Sequence, residues 1–208
     1  MIGRHNPPIE TASEHCKTQE AKLILPKNEA VPQAEFQPFG VQLKDGRQVT
    51  VREVRADDAE RMQTALRAMS AESRYSRFMS AIRELSPNML EKAVRPDAKR
   101  ELQLVAVASE DAQEKIVGGA RYAAAPGSLD CEFALALIDD WQGQGLARQL
   151  LETLMRTARA RGFERMEGYI LPSNAAMLML AKRLGFVRVE YSEDPGVQMV
   201  RCELARIV

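Results

Sequence analysis

Apolar residues recur along this chain with two different periods, and each change of period marks an element. Alternation over residues 41–43 and 49–54 predicts two strands, joined by Lys44-Asp45-Gly46-Arg47, whose Asp-Gly pair suits a tight hairpin turn. Helical spacing takes over at Met62, Leu66 and Met69, with Asp57 placed as the N-cap and Glu60 three residues on in a capping-box arrangement. Ser70 is positioned to cap a second short helix running to Phe78. Ser86-Pro87 opens a third, with Leu85 and Leu90 as a hydrophobic staple.

Beyond residue 100 the period returns to two. Runs over 102–108, 116–124 and 129–138 read as an antiparallel meander, the first two joined by the polar stretch 109–115. Residues 146–161 predict a helix with Leu150, Leu151, Leu154 and Ala158 on one face, stopped by Gly162. A strand over 165–171, a helix over 174–184 ended by Gly185, and closing strands over 186–191 and 197–204 complete the order. The expected class is α/β, in the sense of a mixed α+β sheet with one parallel crossover. Residues 1–40 differ, because Pro7, Pro8, Pro26, Pro32 and Pro38 interrupt a polar, mixed-charge stretch. They predict a flexible tail or linker ahead of one domain over 41–208.

With 208 residues and 45% hydrophobic content, the chain has enough apolar surface for one full core. Its 29 basic and 29 acidic side chains cancel, so no global field favours nucleic acid or an anionic membrane. No apolar run approaches a membrane span and no secretory signal is visible, so the expected location is the cytoplasm. Cys16, Cys131 and Cys202 are odd in number and far apart, which suggests neither a disulfide framework nor a zinc site. His5 and His15 are the only histidines. Within residues 16–208 a general base must therefore be a carboxylate, a tyrosine, a cysteine or water. No feature of the chain sets an oligomeric state.

The clearest chemical signal is Gln142-Gly143-Gln144-Gly145-Leu146-Ala147, set between a strand and a helix start. Glycines let the backbone approach an anion, and the free N–H groups of the first helical turn point at it. A Walker loop would need Lys and Ser or Thr after the last glycine, and a dinucleotide fingerprint would need Gly or Ala where Arg148 stands. What remains, Gln-x-x-Gly-x-Ala, resembles the acyl-CoA pyrophosphate loop of the GNAT N-acetyltransferases, and the element order resembles that fold across 41–205. Glu72-Ser73-Arg74-Tyr75 with Arg77-Phe78, Arg83-Glu84-Leu85-Ser86 and Asp139-Asp140-Trp141-Gln142 look like the Pat-type bacterial protein lysine acetyltransferases.

The resemblance implies a mostly antiparallel central sheet with splayed strands and flanking helices, acetyl-CoA as cosubstrate without a metal, and a protein lysine acceptor such as an acyl-CoA synthetase. It implies that Leu137 and Ile138 pair with the pantetheine arm, that Gln142, Gly143, Gln144, Gly145, Leu146 and Ala147 hold the pyrophosphate, and that Asn174 contacts the cofactor. Asn174 reads equally well as a plain helix N-cap. Cys131-Glu132-Phe133-Ala134 resembles the segment in which the family's base glutamate sits, so Glu132 is the candidate base. Burial in an apolar strand would raise its pKa, and the competing reading is a structural carboxylate paired with Arg121. Many family members carry a tyrosine where this chain has Ala181, leaving Tyr169 and Tyr191 as substitutes for a general acid. Arg74, Tyr75, Arg77 and Phe78 read either as an acceptor wall or as core aromatics beside solvated arginines. A small-amine acceptor and a non-catalytic acyl-CoA sensor stay open beside the lysine reading.

Overall fold

In the computed structural model, which describes residues 36–110, 113–190, 194 and 196–206, the first hairpin forms as its pattern requires. β1 (Phe39–Gln42) and β2 (Gln48–Glu53) pair antiparallel across a turn in which Gly46 takes φ +88° and donates its N–H to Leu43 O at 3.0 Å. Phe39 and Gly40, which the proline pattern placed in the tail, are the first residues of β1. The reason is apolar packing: Phe36 and Phe39 set their rings 6.2 Å apart against the core. Most of the stretch read as tail, including Cys16 and both histidines, lies outside the described residues.

Three helices follow: α1 (Ala59–Ala68), α2 (Ala71–Phe78) and α3 (Pro87–Val94). Ser70 and Ser86 cap α2 and α3, their hydroxyls accepting the N–H of Ser73 at 3.1 Å and of Met89 at 3.3 Å. The start of α1 departs from expectation. A 3-10 turn over Ala56–Asp58 intervenes, and the functional acid is Asp58, not Asp57. Asp58 is fully buried; it accepts two bonds from Arg52 at 2.7 and 2.9 Å, one from the Arg55 N–H at 2.8 Å and one from Arg61 at 3.0 Å. Asp57 stays in solvent, since the 3-10 turn rotates only its neighbour toward β2.

β3 (Glu101–Glu110) and β4 (Gln113–Ala123) keep their ladder to the ends, so most of 109–115 is strand and the turn is far shorter than its polarity suggested. β5 (Asp130–Leu137), α4 (Leu146–Ala160), β6 (Arg165–Ile170), α5 (Ala175–Arg183), β7 (Val187–Val189) and β8 (Gln198–Glu203) complete the order. Among the described residues the sheet runs β1-β2-β3-β4-β5-β6-β8-β7. Only β5 and β6 pair in parallel, as the crossover through α4 demands. Helices α1 to α3 cover one face around β4 and β5, while α4 covers the other, burying Leu150, Leu151, Leu154 and Ala158 completely.

Asp58 is the charge that ties β2 to the helical layer. Asp58→Ala should lower unfolding stability by up to about 3–5 kcal/mol, because it leaves the buried Arg52 with only the partly exposed Glu114, 2.9 Å away, as a carboxylate partner. Asp57→Ala should stay within about 0.5 kcal/mol of wild type. Urea denaturation of the two variants checks the contrast. Arg52 and the Arg55 N–H outweigh the burial that opposes ionisation and hold Asp58 below the usual carboxylate range. Its stabilisation should therefore be complete at neutral pH and be lost as pH falls through that depressed value.

Candidate active site

β5 and β6 stay together for three register pairs only: Asp130 with Arg165, Cys131 with Met166 and Glu132 with Glu167. Past Glu132, β5 continues along β4 to Leu137 and β6 continues along β8 to Ile170, so a gap opens between them. Phe133 stands where the strands part. Its ring lies over Gly168 of β6, where any Cβ would overlap it, and packs edge-on against Phe186 at 5.2 Å. Ile138 gives its N–H to Val117 O at 2.9 Å and its carbonyl to the Trp141 N–H at 2.9 Å. By strand alternation, Leu137 and Leu135 are then the residues whose main chain faces the gap. Ile138, expected there, is committed elsewhere, and Leu135 was not foreseen.

At the end of the gap the chain makes a 3-10 turn over Asp139–Trp141 and enters the glycine loop. Gly143 and Gly145 take φ +73° and +95°, conformations that side chains resist. Gly145 precedes α4 and no side chain caps it, so the N–H groups of Leu146, Ala147 and Arg148 are presented outward. Gln142 turns inward, its amide donating to Ser73 Oγ at 3.1 Å and Leu137 O at 3.3 Å. Gln144 receives the Lys44 N–H on its carbonyl at 3.3 Å, and Lys44 Cε stands 4.0 Å from where a Cβ on Gly145 would be. Lys44 brings a cation to the loop from about a hundred residues away, and its only sequence signal was adjacency to the Asp-Gly turn. Asn174 caps α5, its Oδ1 accepting the Met177 N–H at 3.0 Å.

Glu132 lies where the gap begins, on the face covered by α1 to α3. Its side chain is solvent-accessible, not enclosed as its apolar strand suggested, because even-numbered positions of β5 face the cleft beneath α2. The protein around it still displaces enough water to push its pKa up; Arg77 and Arg121 pull it down, and Glu167 adds to the rise. Among the described residues no ion pair within 4.0 Å holds Glu132. Arg121 is instead 3.7 Å from Glu101, and Glu167 is bound by Arg201 at 2.6 Å. Cys131 faces the other side, where burial pushes its thiol up to about 12, far from a nucleophile's range. Of the basic-aromatic cluster, Tyr75 is half exposed, Arg74 bonds Met69 O, and Arg77 and Phe78 line a cavity.

A model of the acetyltransferase (GNAT) domain matches residues 48–187. The chain belongs to the GNAT acetyltransferase family. It is 37% identical to Acetyltransferase PA5475 of Pseudomonas aeruginosa over 73% of this chain and 82% of that protein. It is 30% identical to Acetyltransferase Pat of Mycolicibacterium smegmatis over 80% of this chain, and spans about half of that relative, 49% of its length. The crystallised GNAT domain of S. lividans PAT superposes with TM-score 0.72 at 28% identity, covering 81% of this chain and 99% of that one.

GNAT acetyltransferases use acetyl-CoA, and among the described residues no cluster of His, Cys, Asp or Glu could hold a metal. No described helix is long and apolar enough to cross a membrane. In this GNAT chain Ala181, at the family's tyrosine position, is fully buried. Tyr169 alternates on β6 with Glu167, which puts it on the Glu132 face beside the gap; Tyr191 lies outside the described residues. Asp139 joins the two halves of the site, accepting the Ser70 N–H at 2.8 Å, the Ser70 hydroxyl at 2.7 Å and the Ser73 hydroxyl at 2.8 Å. Against some burial, these Ser70 and Ser73 bonds hold Asp139 below the usual carboxylate range. Asp139→Ala should cost about 1.5–3 kcal/mol, the range for hydrogen bonds to a charged group. Hydrogen exchange should accelerate selectively at the first turn of α2, and unchanged exchange there would refute the clamp.

Proposed function

We propose that this chain transfers the acetyl group of acetyl-CoA to the ε-amine of a protein lysine, with an acyl-CoA synthetase as the family-suggested target. The observation that carries the reading is the gap between β5 and β6, which has unpaired main chain along one side, a glycine loop at one end and Glu132 at the other. An amide-rich pantetheine arm would lie along Leu135 and Leu137 as a surrogate strand. The pyrophosphate would sit on the N–H groups of the Gly143–Ala147 loop with Lys44 beside it. The Asn174 carbonyl is engaged as a cap, which leaves its NH2 for the cofactor. The lysine acceptor is supported by the likeness of the 72–78, 83–86 and 139–142 segments to Pat-type enzymes.

Glu132 takes a proton from the acceptor ammonium, directly or through water. The freed nitrogen attacks the thioester carbonyl, a main-chain N–H on the gap side of β5 stabilises the oxyanion, and the C–S bond breaks to leave an N-acetyl amide and CoA thiolate. The thiolate is a tolerable leaving group with a pKa of about 8.5, so water can protonate it.

Glu132→Gln should reduce kcat on a lysine peptide by about 10²-fold or more while the acetyl-CoA Kd is unchanged. In the wild type, kcat should fall with decreasing pH through a limb lying above the ordinary glutamate value of about 4.3, because protonation silences the base. That limb should be missing in the variant. Full turnover by Glu132→Gln would overturn the base assignment. Tight acetyl-CoA binding without transfer to any amine would replace the enzyme with a sensor. Gly145→Ala should weaken acetyl-CoA about tenfold or more through the strain of its positive φ, as calorimetry would show.

A further inference from the structure

A cavity of about 230 Å³ lies beneath α1, α2 and α3 and against β3, β4 and β5, bordered by the two arginines whose charge acts on Glu132. Met62, Leu66, Met69, Phe78 and Val105 make its walls apolar, yet Arg77 and Arg121 both border it. The transfer chemistry uses neither arginine. Among the described residues, the one ion pair of Arg121 is the loose 3.7 Å contact with Glu101. Arg77 makes no ion pair and no side-chain hydrogen bond with any described residue; its guanidinium stacks over Phe78 at 4.8 Å from the ring centre. Burial, reinforced by the charge of Arg121, lowers its pKa to about 10, while Glu132 pulls the other way.

Two guanidiniums held close together in an apolar wall are unfavourable unless an anion meets them. Glu132 is near enough to feel both charges, yet among the described residues it forms no ion pair with either. A planar fork of N–H donors matches a carboxylate, and the methionine-lined cavity suits the short apolar stem that carries one. Met89 of the lining is 39% exposed and Tyr75 of α2 is 50% exposed, apolar ground on α3 and α2 for a polypeptide to lie across.

We propose that Arg77 and Arg121 bind the carboxylate of an acidic residue flanking the acceptor lysine, so that the enzyme selects lysines with an acidic neighbour. This deepens the lysine reading and rests on it. The pair would then do two things: position the lysine amine against Glu132, and reject sites whose neighbours are cationic by like-charge repulsion.

The test is kcat/KM with acetyl-CoA on lysine peptides that differ only at the residues next to the lysine, which are glutamate, alanine or lysine. The glutamate peptide should be preferred over alanine by about tenfold or more, mainly in KM, as a charged hydrogen-bonded pair predicts. The glutamate-to-alanine ratio should collapse toward one in Arg77→Gln and in Arg121→Gln, and be partly kept in Arg77→Lys, which retains charge without the fork. Thermal melting and acetyl-CoA affinity confirm that the variants are folded. Peptides acetylated with no acidic preference, or with a preference that survives Arg77→Gln, would overturn this inference alone. If no peptide is acetylated while acetyl-CoA binds, the lysine reading fails and this inference with it. Free apolar amino acids turned over better than any peptide would also overturn it, by assigning the arginines to an α-carboxylate.

Discussion

Everything functional in this molecule follows from a parallel strand pair that is allowed only three residues of contact. In a closed sheet, β5 and β6 would satisfy each other's main chain to their ends. Past Glu132 the pairing stops, at the point where Phe133 lays its ring over Gly168, a β6 residue with no Cβ. The strands part there, and the main chain of Leu135 and the N–H of Leu137 are left to water or to a ligand that offers amides of its own, while the Leu137 carbonyl accepts from Gln142. The parallel connection also requires a crossover helix, and that helix begins where the gap ends. A binding slot and an anion-seeking helix start are therefore one topological event.

What makes the slot specific is how distant segments close around it. The β1–β2 hairpin reaches the far end of the loop: Arg47 donates to Asp140 O at 2.8 Å and lies 3.9 Å over the Trp141 ring, while Lys44 lies beside Gly145. From the other face, Asp139 grips the start of α2, and Gln142 bridges Ser73 to the Leu137 carbonyl. The helix that carries Arg77 is thus tied through a few hydrogen bonds to the strand end and the glycine loop. A shift of α2 would be felt at the loop end of the gap, because these groups are partners of one another.

The elements were legible in the chain wherever a local rule is sufficient. Hydrophobic period placed α1, α4 and the strands, Asp45-Gly46 placed the first turn, and the caps Ser70 and Ser86 announced α2 and α3. The glycine loop was readable because positive φ and a free helix start are local properties. Where two local readings compete, only tertiary contact decides. Nothing near Asp57 and Asp58 reveals which one meets Arg52, a residue whose position depends on the β2–β3 register. The polar run 109–115 resembled a loop because an outer strand end may be as polar as a turn. Ile138 looked equivalent to Leu137 until the bond to Val117 fixed which of the two faces the gap. Lys44 and the position of Arg77 over the cavity depend on helix and hairpin packing, which has no periodic signature.

Glu132 shows how the same packing sets chemistry. Its pKa reflects opposing effects: displaced water and Glu167 favour the neutral acid, while Arg77 and Arg121 favour the carboxylate, and the balance falls on the raised side. An exposed strand glutamate with no such neighbours would be a weak base near neutral pH. The two arginines temper that rise only while their charge is unopposed. A carboxylate docked on them would cancel their pull, and Glu132 would move further toward the pH at which it must accept a proton. Recognition of an acidic neighbour and the strength of the base are then linked through the same guanidiniums. On the proposed reading, a lysine with an acidic neighbour would be presented to a base made stronger by its own binding.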